Sequence, residues 1–120
     1  MVLAMSDPRK RLFVGAEFPE SVQAVFRELR TAVPGAEWVR EENLHLTLKF
    51  IGPCDSERCE EVVRALRPIQ YAPFLLTPSG VGVFPPRGSP GVMWVGLGTA
   101  HPRLCALQKA IDDALFAIGI

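Results

Sequence analysis

The chain has 120 residues, 48% hydrophobic and 22% charged, the composition of one globular domain with one core. That excludes intrinsic disorder and leaves no room for a second domain. Lys+Arg and Asp+Glu both number 13, for a net charge of zero, which argues against a non-specific duplex binder. A grip on one phosphate at one strand end stays open, because the charge is uneven along the chain. Residues 1–61 hold eleven acids and eight bases, whereas 62–111 hold five bases and no acid.

Arg11-Leu-Phe-Val-Gly-Ala16 is a short β-rich run and reads as the first strand. Pro19 suits the start of a helix, and Val22, Val25, Phe26, Leu29 and Val33 follow at helical spacing until Pro34-Gly35. Glu37-Trp38-Val39 reads as a short strand before a polar turn at residues 41–43. In residues 44–51, Leu44, Leu46, Leu48 and Phe50 alternate with His45, Thr47 and Lys49, and Gly52-Pro53 is expected to end that strand. Asp55 or Ser56 caps a second helix with Cys59, Val62, Val63 and Leu66 on one face, closed by Pro68. Residues 74–84 and 92–97 read as two strands joined by the turn-rich segment 85–91. A third helix runs from about Pro102 to Ile118, with Leu104, Leu107, Ile111, Leu115 and Ile118 inward and Gly119 as its C-cap. The order β-α-β-β-α-β-β-α predicts an α+β domain, three helices on a sheet, over residues 1–120. A chain that stops just past a helix is expected to be C-terminally incomplete.

The cysteines number three, an odd count without a CxxC pair, which reads as reduced thiols in a cytoplasm. Residues 1–11 lack the order of a secretory leader. No run approaches the ~18 apolar residues of a membrane span, so a membrane is not an expected partner.

His45 and Thr47 point the same way from their strand, about 7 Å apart at the backbone. Imidazole gives or takes a proton near neutral pH. A threonine hydroxyl one pleat along can hold a non-bridging phosphate oxygen while the imidazole addresses a bridging one. Lys49 is expected to continue that face. The same pattern also fits a surface strand whose wet side happens to be His, Thr and Lys. Cys54, Cys59, His101 and Cys105 offer four zinc-ligand types at loosely plausible spacing, against the reading that the cysteines are buried thiols. His101 stands at a helix start, where protonated imidazole is disfavoured, and reads as a surface residue. Arg87 either reaches an anion from its loop or keeps that loop soluble. Phosphate-loop, dinucleotide-binding and nucleophile-elbow motifs are absent from the sequence.

Three blocks taken together carry more information than H-x-T alone: Arg11-Leu-Phe-Val-Gly-Ala-Glu-Phe-Pro19, Asn43-Leu-His-Leu-Thr-Leu-Lys-Phe-Ile-Gly52 and Met93-Trp-Val-Gly-Leu97. In this order they resemble the RNA 2′,3′-cyclic phosphodiesterases, also called 2′-5′ RNA ligases, of the two-histidine phosphoesterase superfamily. The resemblance spans residues from about 10 to 120. It implies two pseudo-symmetric lobes of antiparallel sheet with outer helices, the second lobe incomplete here, each lobe carrying one H-x-T-x motif on a central strand. By resemblance, His45 is the proton donor to the leaving 3′ oxygen and Thr47 holds the phosphate. Arg11, Phe13 and Lys49 are candidate substrate contacts. The implied partner is an RNA 3′ end or nucleotide carrying a 2′,3′-cyclic phosphate, with no cofactor and no metal. The family's second histidine, which activates water, has no counterpart here. His101, the only other histidine, is followed by Pro-Arg-Leu. The resemblance thus implies a hydrolase that leaves a 2′-phosphate, with ATP-independent 2′-5′ ligation as its reverse. The alternative is a non-catalytic RNA-end binder that keeps one motif, and a chain this short is also expected to form a homodimer.

Overall fold

The computed structural model describes residues 2–3, 10–30 and 34–120, so Val33 lies outside the described residues, as does most of the segment before Lys10. Strands β1 (Val2–Leu3), β2 (Lys10–Glu17) and β3 (His45–Cys54) form an antiparallel sheet in that spatial order. Helices α1 (Glu20–Glu28), α2 (Ser56–Leu66) and α3 (Pro102–Phe116) surround it, and β4 (Val81–Phe84) pairs with β5 (Val92–Val95) as a separate antiparallel hairpin. This is the expected α+β arrangement of antiparallel sheets and outer helices. The two-residue strand β1, on the outer side of β2, is an addition to the expected elements.

One face of the β2–β3 pair holds Leu12, Val14, Leu48 and Cys54, packed against Cys59, Val62 and Leu66 of α2 and Leu107, Ile111 and Leu115 of α3. The buried positions of both helices are therefore those their spacing predicts. Leu12, Val14, Val62, Ile111 and Leu115 are all but sealed from water, and each such side chain contributes about 1.5–3 kcal/mol. Asp55 caps α2 by accepting the Arg58 backbone N–H at 2.8 Å. α3 ends as the sequence implies: Gly119, at φ 79°, lets its own N–H reach the Phe116 carbonyl and that of Ile120 the Leu115 carbonyl. These two bonds close a Schellman turn that folds Ile120 onto the core.

Five expectations are corrected. Glu37–Val39 forms no strand; it runs as an irregular segment whose Val39 carbonyl accepts from Arg30 at 3.1 Å. β3 does not stop at Gly52-Pro53 but continues to Cys54. It is an outer strand of the described sheet, not a central one, and an edge tolerates proline's missing N–H. Residues 74–78 stay outside the hairpin, where Pro78 has no N–H for a ladder. Ser79 and Gly80 join it only through backbone bonds, the Ser79 N–H to the Gly96 carbonyl at 2.8 Å and the Gly96 N–H to the Gly80 carbonyl at 2.9 Å, with Gly80 at φ 76° and out of strand geometry. Helix α1 buries none of its residues. Val22 and Phe26 are half-buried, Phe26 against Phe18 at 5.5 Å, but Val25 and Leu29 face solvent.

The hairpin is just as open. Val81, Val83, Val92, Met93, Trp94 and Val95 are all exposed, and the Trp94 indole lies across Gly82, where any Cβ would overlap it. The accessible surface is 9183 Å², against about 6,400 Å² for a compact monomer of 13.2 kDa. The α2–α3–sheet core holds the fold, and the hairpin and α1 add apolar surface to the outside.

Replacing Asp55 by Ala should cost about 1 kcal/mol, because it frees an N–H in the first turn of a helix that carries three core residues. Urea denaturation of the two proteins measures it, and equal midpoints would show that the cap carries no stability.

Candidate active site

The ladder between β2 and β3 sets Glu17 opposite His45 and Gly15 opposite Thr47. Opposed residues share a face. His45, Thr47, Glu17, Gly15, Phe13 and Arg11 therefore lie on the side of the sheet away from α2 and α3. The Phe13 ring stacks on the His45 imidazole with centroids 4.5 Å apart and planes 19° from parallel. It occupies the space above Gly15, where an added Cβ would sit 3.1 Å from Phe13 Cε2 and 3.1 Å from the Leu46 carbonyl oxygen. A glycine inside a strand often marks such a close approach, and that is the one signal in the sequence that points to this position.

The row does not continue to Lys49. A register shift falls between Val14 and Gly15, whose partners are Lys49 and Thr47, so Leu48 is the extra residue of a bulge. Beyond it the faces exchange. Lys49 pairs with fully buried Val14, and its Nζ meets Asp112 Oδ1 of α3 at 2.7 Å. Phe50, expected among the inward apolar residues, takes the vacated place. It is 74% exposed, with its ring 6.4 Å from that of Phe13. A strict period of two could not show this. Arg11 shares the face of His45, exposed and without an ion pair among the described residues. It stands four residues from Gly15, about 13 Å along the strand.

The turn that delivers the chain to His45 is anchored from outside the sheet. Glu41, in a single 3-10 turn at Glu41–Asn43, accepts two hydrogen bonds from Arg27 of α1, from Nε at 2.9 Å and Nη2 at 2.8 Å. Those bonds outweigh the small desolvation of the carboxyl and hold Glu41 below its ordinary carboxylate range. Glu20 adds a second acceptor for Arg27 at 3.1 Å.

His101 has a structural use. Its Nδ1 accepts the Arg103 backbone N–H at 3.1 Å as the N-cap of α3, and its ring stacks on Phe74 at 4.9 Å. Cys54 and Cys59 are buried and Cys105 is exposed, which corrects the expectation that all three are buried. Burial pushes the Cys54 thiol up, with Cys59 as a further cause. Among the described residues, no three His, Cys, Asp or Glu side chains come together as metal ligands, so the four zinc-type residues are not gathered.

Comparison with known proteins places this geometry. Residues 12–94 match the family model described as LigT like Phosphoesterase. An RNA 2′,3′-cyclic phosphodiesterase of Archaeoglobus fulgidus is 37% identical over 113 residues, covering 91% of this chain and 63% of the relative. One of Methanocaldococcus jannaschii is 32% identical, with 91% and 62% covered. The crystal structure of E. coli LigT complexed with 3′-AMP superimposes with a TM-score of 0.74 at 23% identity, over 90% of this chain and 64% of that one. The chain thus spans somewhat under two-thirds of the length of these relatives.

The bulge and the anchored turn each carry a measurable consequence. Lys49→Ala should lower stability, by about 1 kcal/mol for a partly exposed pair, and leave phosphate affinity unchanged. A loss of phosphate affinity without a loss of stability would put the amine back on the site face. Glu41, with its folded pKa depressed, favours the folded state at pH values above the unfolded carboxylate pKa of about 4.3, and that contribution is lost as pH falls through the lower folded value. The Arg27 Nε–H resonance should therefore move toward its free position below about pH 4, and a resonance fixed down to pH 2 would exclude the clamp.

Proposed function

Because the chain belongs to the LigT-like phosphoesterase family, we propose that it supplies the proton-donor half of a site that opens RNA 2′,3′-cyclic phosphate ends. The observation that carries this reading is His45 and Thr47 side by side on the sheet face turned away from α2 and α3, in a chain 37% identical to a curated RNA 2′,3′-cyclic phosphodiesterase. In the proposed reaction, water attacks phosphorus and the bond from phosphorus to O3′ breaks. O3′ takes a proton from protonated His45, and the product is a 2′-phosphomonoester. Thr47 donates its hydroxyl to a non-bridging oxygen. Phe13 and Arg11, on the same face, suit contact with a base and with backbone phosphate. The proton from water goes to a second base, the role that the resemblance gives to a second histidine. The reverse of these steps is a 2′-5′ ligation without ATP. Three free thiols agree with a cytoplasmic setting, which belongs to the same proposal, and no helix among the described residues is long and apolar enough to cross a membrane.

His45→Ala should abolish opening of a 2′,3′-cyclic phosphate with the fold intact, since the side chain lies off the core. Undiminished turnover would remove His45 from the reaction. Thr47→Ala should weaken binding of a 2′-phosphate end by about 1.5–3 kcal/mol, one hydrogen bond to a charged group. Unchanged affinity would reduce Thr47 to a strand residue.

The 120 residues alone should turn over slowly, by a factor on the order of 10²–10⁴, because one member of an acid–base pair acts without the other. Chelators should not alter whatever rate is seen, as imidazole chemistry carries the proton traffic; loss of activity with chelator would reinstate a metal. A chain that binds 2′-phosphate ends but never turns over would support the binding-protein alternative. For the 120-residue chain by itself, a second copy is the proposed cover for the exposed hairpin, and a strict monomer by light scattering would remove the homodimer.

A further inference from the structure

A proton donor must aim its ring as well as carry a proton. The torsion that turns an imidazole about its Cβ–Cγ bond is broad and poorly restrained by the backbone. Histidines at work are usually oriented by a hydrogen bond to the second ring nitrogen, from a carbonyl or a carboxylate. Among the described residues, neither nitrogen of His45 has such a partner. The contact that does restrain the ring is the stack on Phe13, 4.5 Å between centroids and 19° from parallel.

We infer that Phe13 is a positioning residue for His45, its ring lying over Gly15 to fix the plane in which the imidazole meets a phosphate. Sequence and fold combine to build this device. Phe13 stands two residues before Gly15, and its ring lies at the Gly15–Thr47 level, where it meets the imidazole of His45 from the next level of the ladder. Gly15 leaves room for this; an added Cβ would sit 3.1 Å from Phe13 Cε2, close enough to push the ring by a few tenths of an ångström. Gly15 itself is buried and has no positive φ, so its service here is clearance and not backbone freedom. Glu17, across the ladder on the same face, does not restrain the ring plane.

The inference rests on the phosphate reading of the site only for its purpose, and its first test is independent of that reading. In the intact 120-residue protein, the carbon-bound ring protons of His45 should resonate upfield of free histidine under the Phe13 ring current. Phe13→Leu keeps the bulk and removes the current, so these signals should return to free values and gain mobility by relaxation. Phe13→Tyr should restore the original positions, and Gly15→Ala should give an intermediate shift. Inorganic phosphate, titrated while the same signals are followed, is the second arm. Phe13→Leu should weaken its binding roughly two- to tenfold, the factor that matches one aromatic pair, with Phe13→Tyr close to the parent. Phosphate has no base, so a Phe13 that served only to stack a nucleobase would leave this affinity unchanged and overturn the inference. Ring signals at free values in the parent protein, or unmoved in Phe13→Leu, would overturn it as well. A parent protein that shows the ring-current shift but ignores phosphate would sink the phosphate reading and leave the stack established.

Discussion

The register of β3 against β2 decides which side chains meet the helices and which meet solvent. Up to Thr47 the pairing is regular, and the polar residues His45 and Thr47 face away from α2 and α3. At Leu48 one extra residue enters β3, and a second irregularity lies between Phe50 and Gly52. Each shift exchanges the faces of the residues beyond it. Without the first bulge, Phe50 would enter the core and Lys49 would sit beside Thr47. With it, Leu48 and Lys49 both turn toward the helices, one into the core and the other onto Asp112. The site's charge depends on this bulge. Its face carries His45, Glu17 and Arg11 as ionisable groups, not a lysine next to Thr47.

Stability and site are thus supported from opposite sides of two strands. Below them, five nearly sealed aliphatic side chains outweigh any single polar contact in the chain by several-fold. Above them, the face is open, and its order comes from weaker, directional contacts. These are the Phe13–His45 stack and the Arg27–Glu41 clamp on the turn that precedes His45. Arg27 brings α1 into this arrangement. A helix that buries none of its own residues gains a reason for its place, since it holds the entry to the strand that carries His45 and Thr47.

Local period and local caps account for the features that were legible in the sequence. The inward faces of α2 and α3, the Asp55 cap, the Gly119 turn and the common face of His45 and Thr47 all come from spacing and side-chain type. The features that were not legible depend on partners. A bulge is a relation between two strands, so no pattern within residues 44–51 reveals that Lys49 and Phe50 exchange roles. Glu37–Val39 has the residues of a strand but no strand beside it among the described residues. Val25 and Leu29 have helical spacing, yet nothing among the described residues covers them. Periodicity says that a face is apolar and does not say that something is there to meet it.

Gly15 shows how a functional position can hide in plain composition. In a strand of Leu, Phe, Val and Ala it reads as one more small residue, with a modest entropic cost. Its meaning appears only once Phe13 is seen to lie over it and His45 beyond. The same logic relates Gly82 to Trp94 in the hairpin, where the indole crosses the glycine. In both sheets, then, a missing Cβ lets an aromatic ring lie flat along the strand surface. In the hairpin that ring remains exposed, whereas above Gly15 it meets an imidazole. The difference lies in the cross-strand neighbour, and it separates a packing convenience from an aromatic contact that restrains the His45 ring.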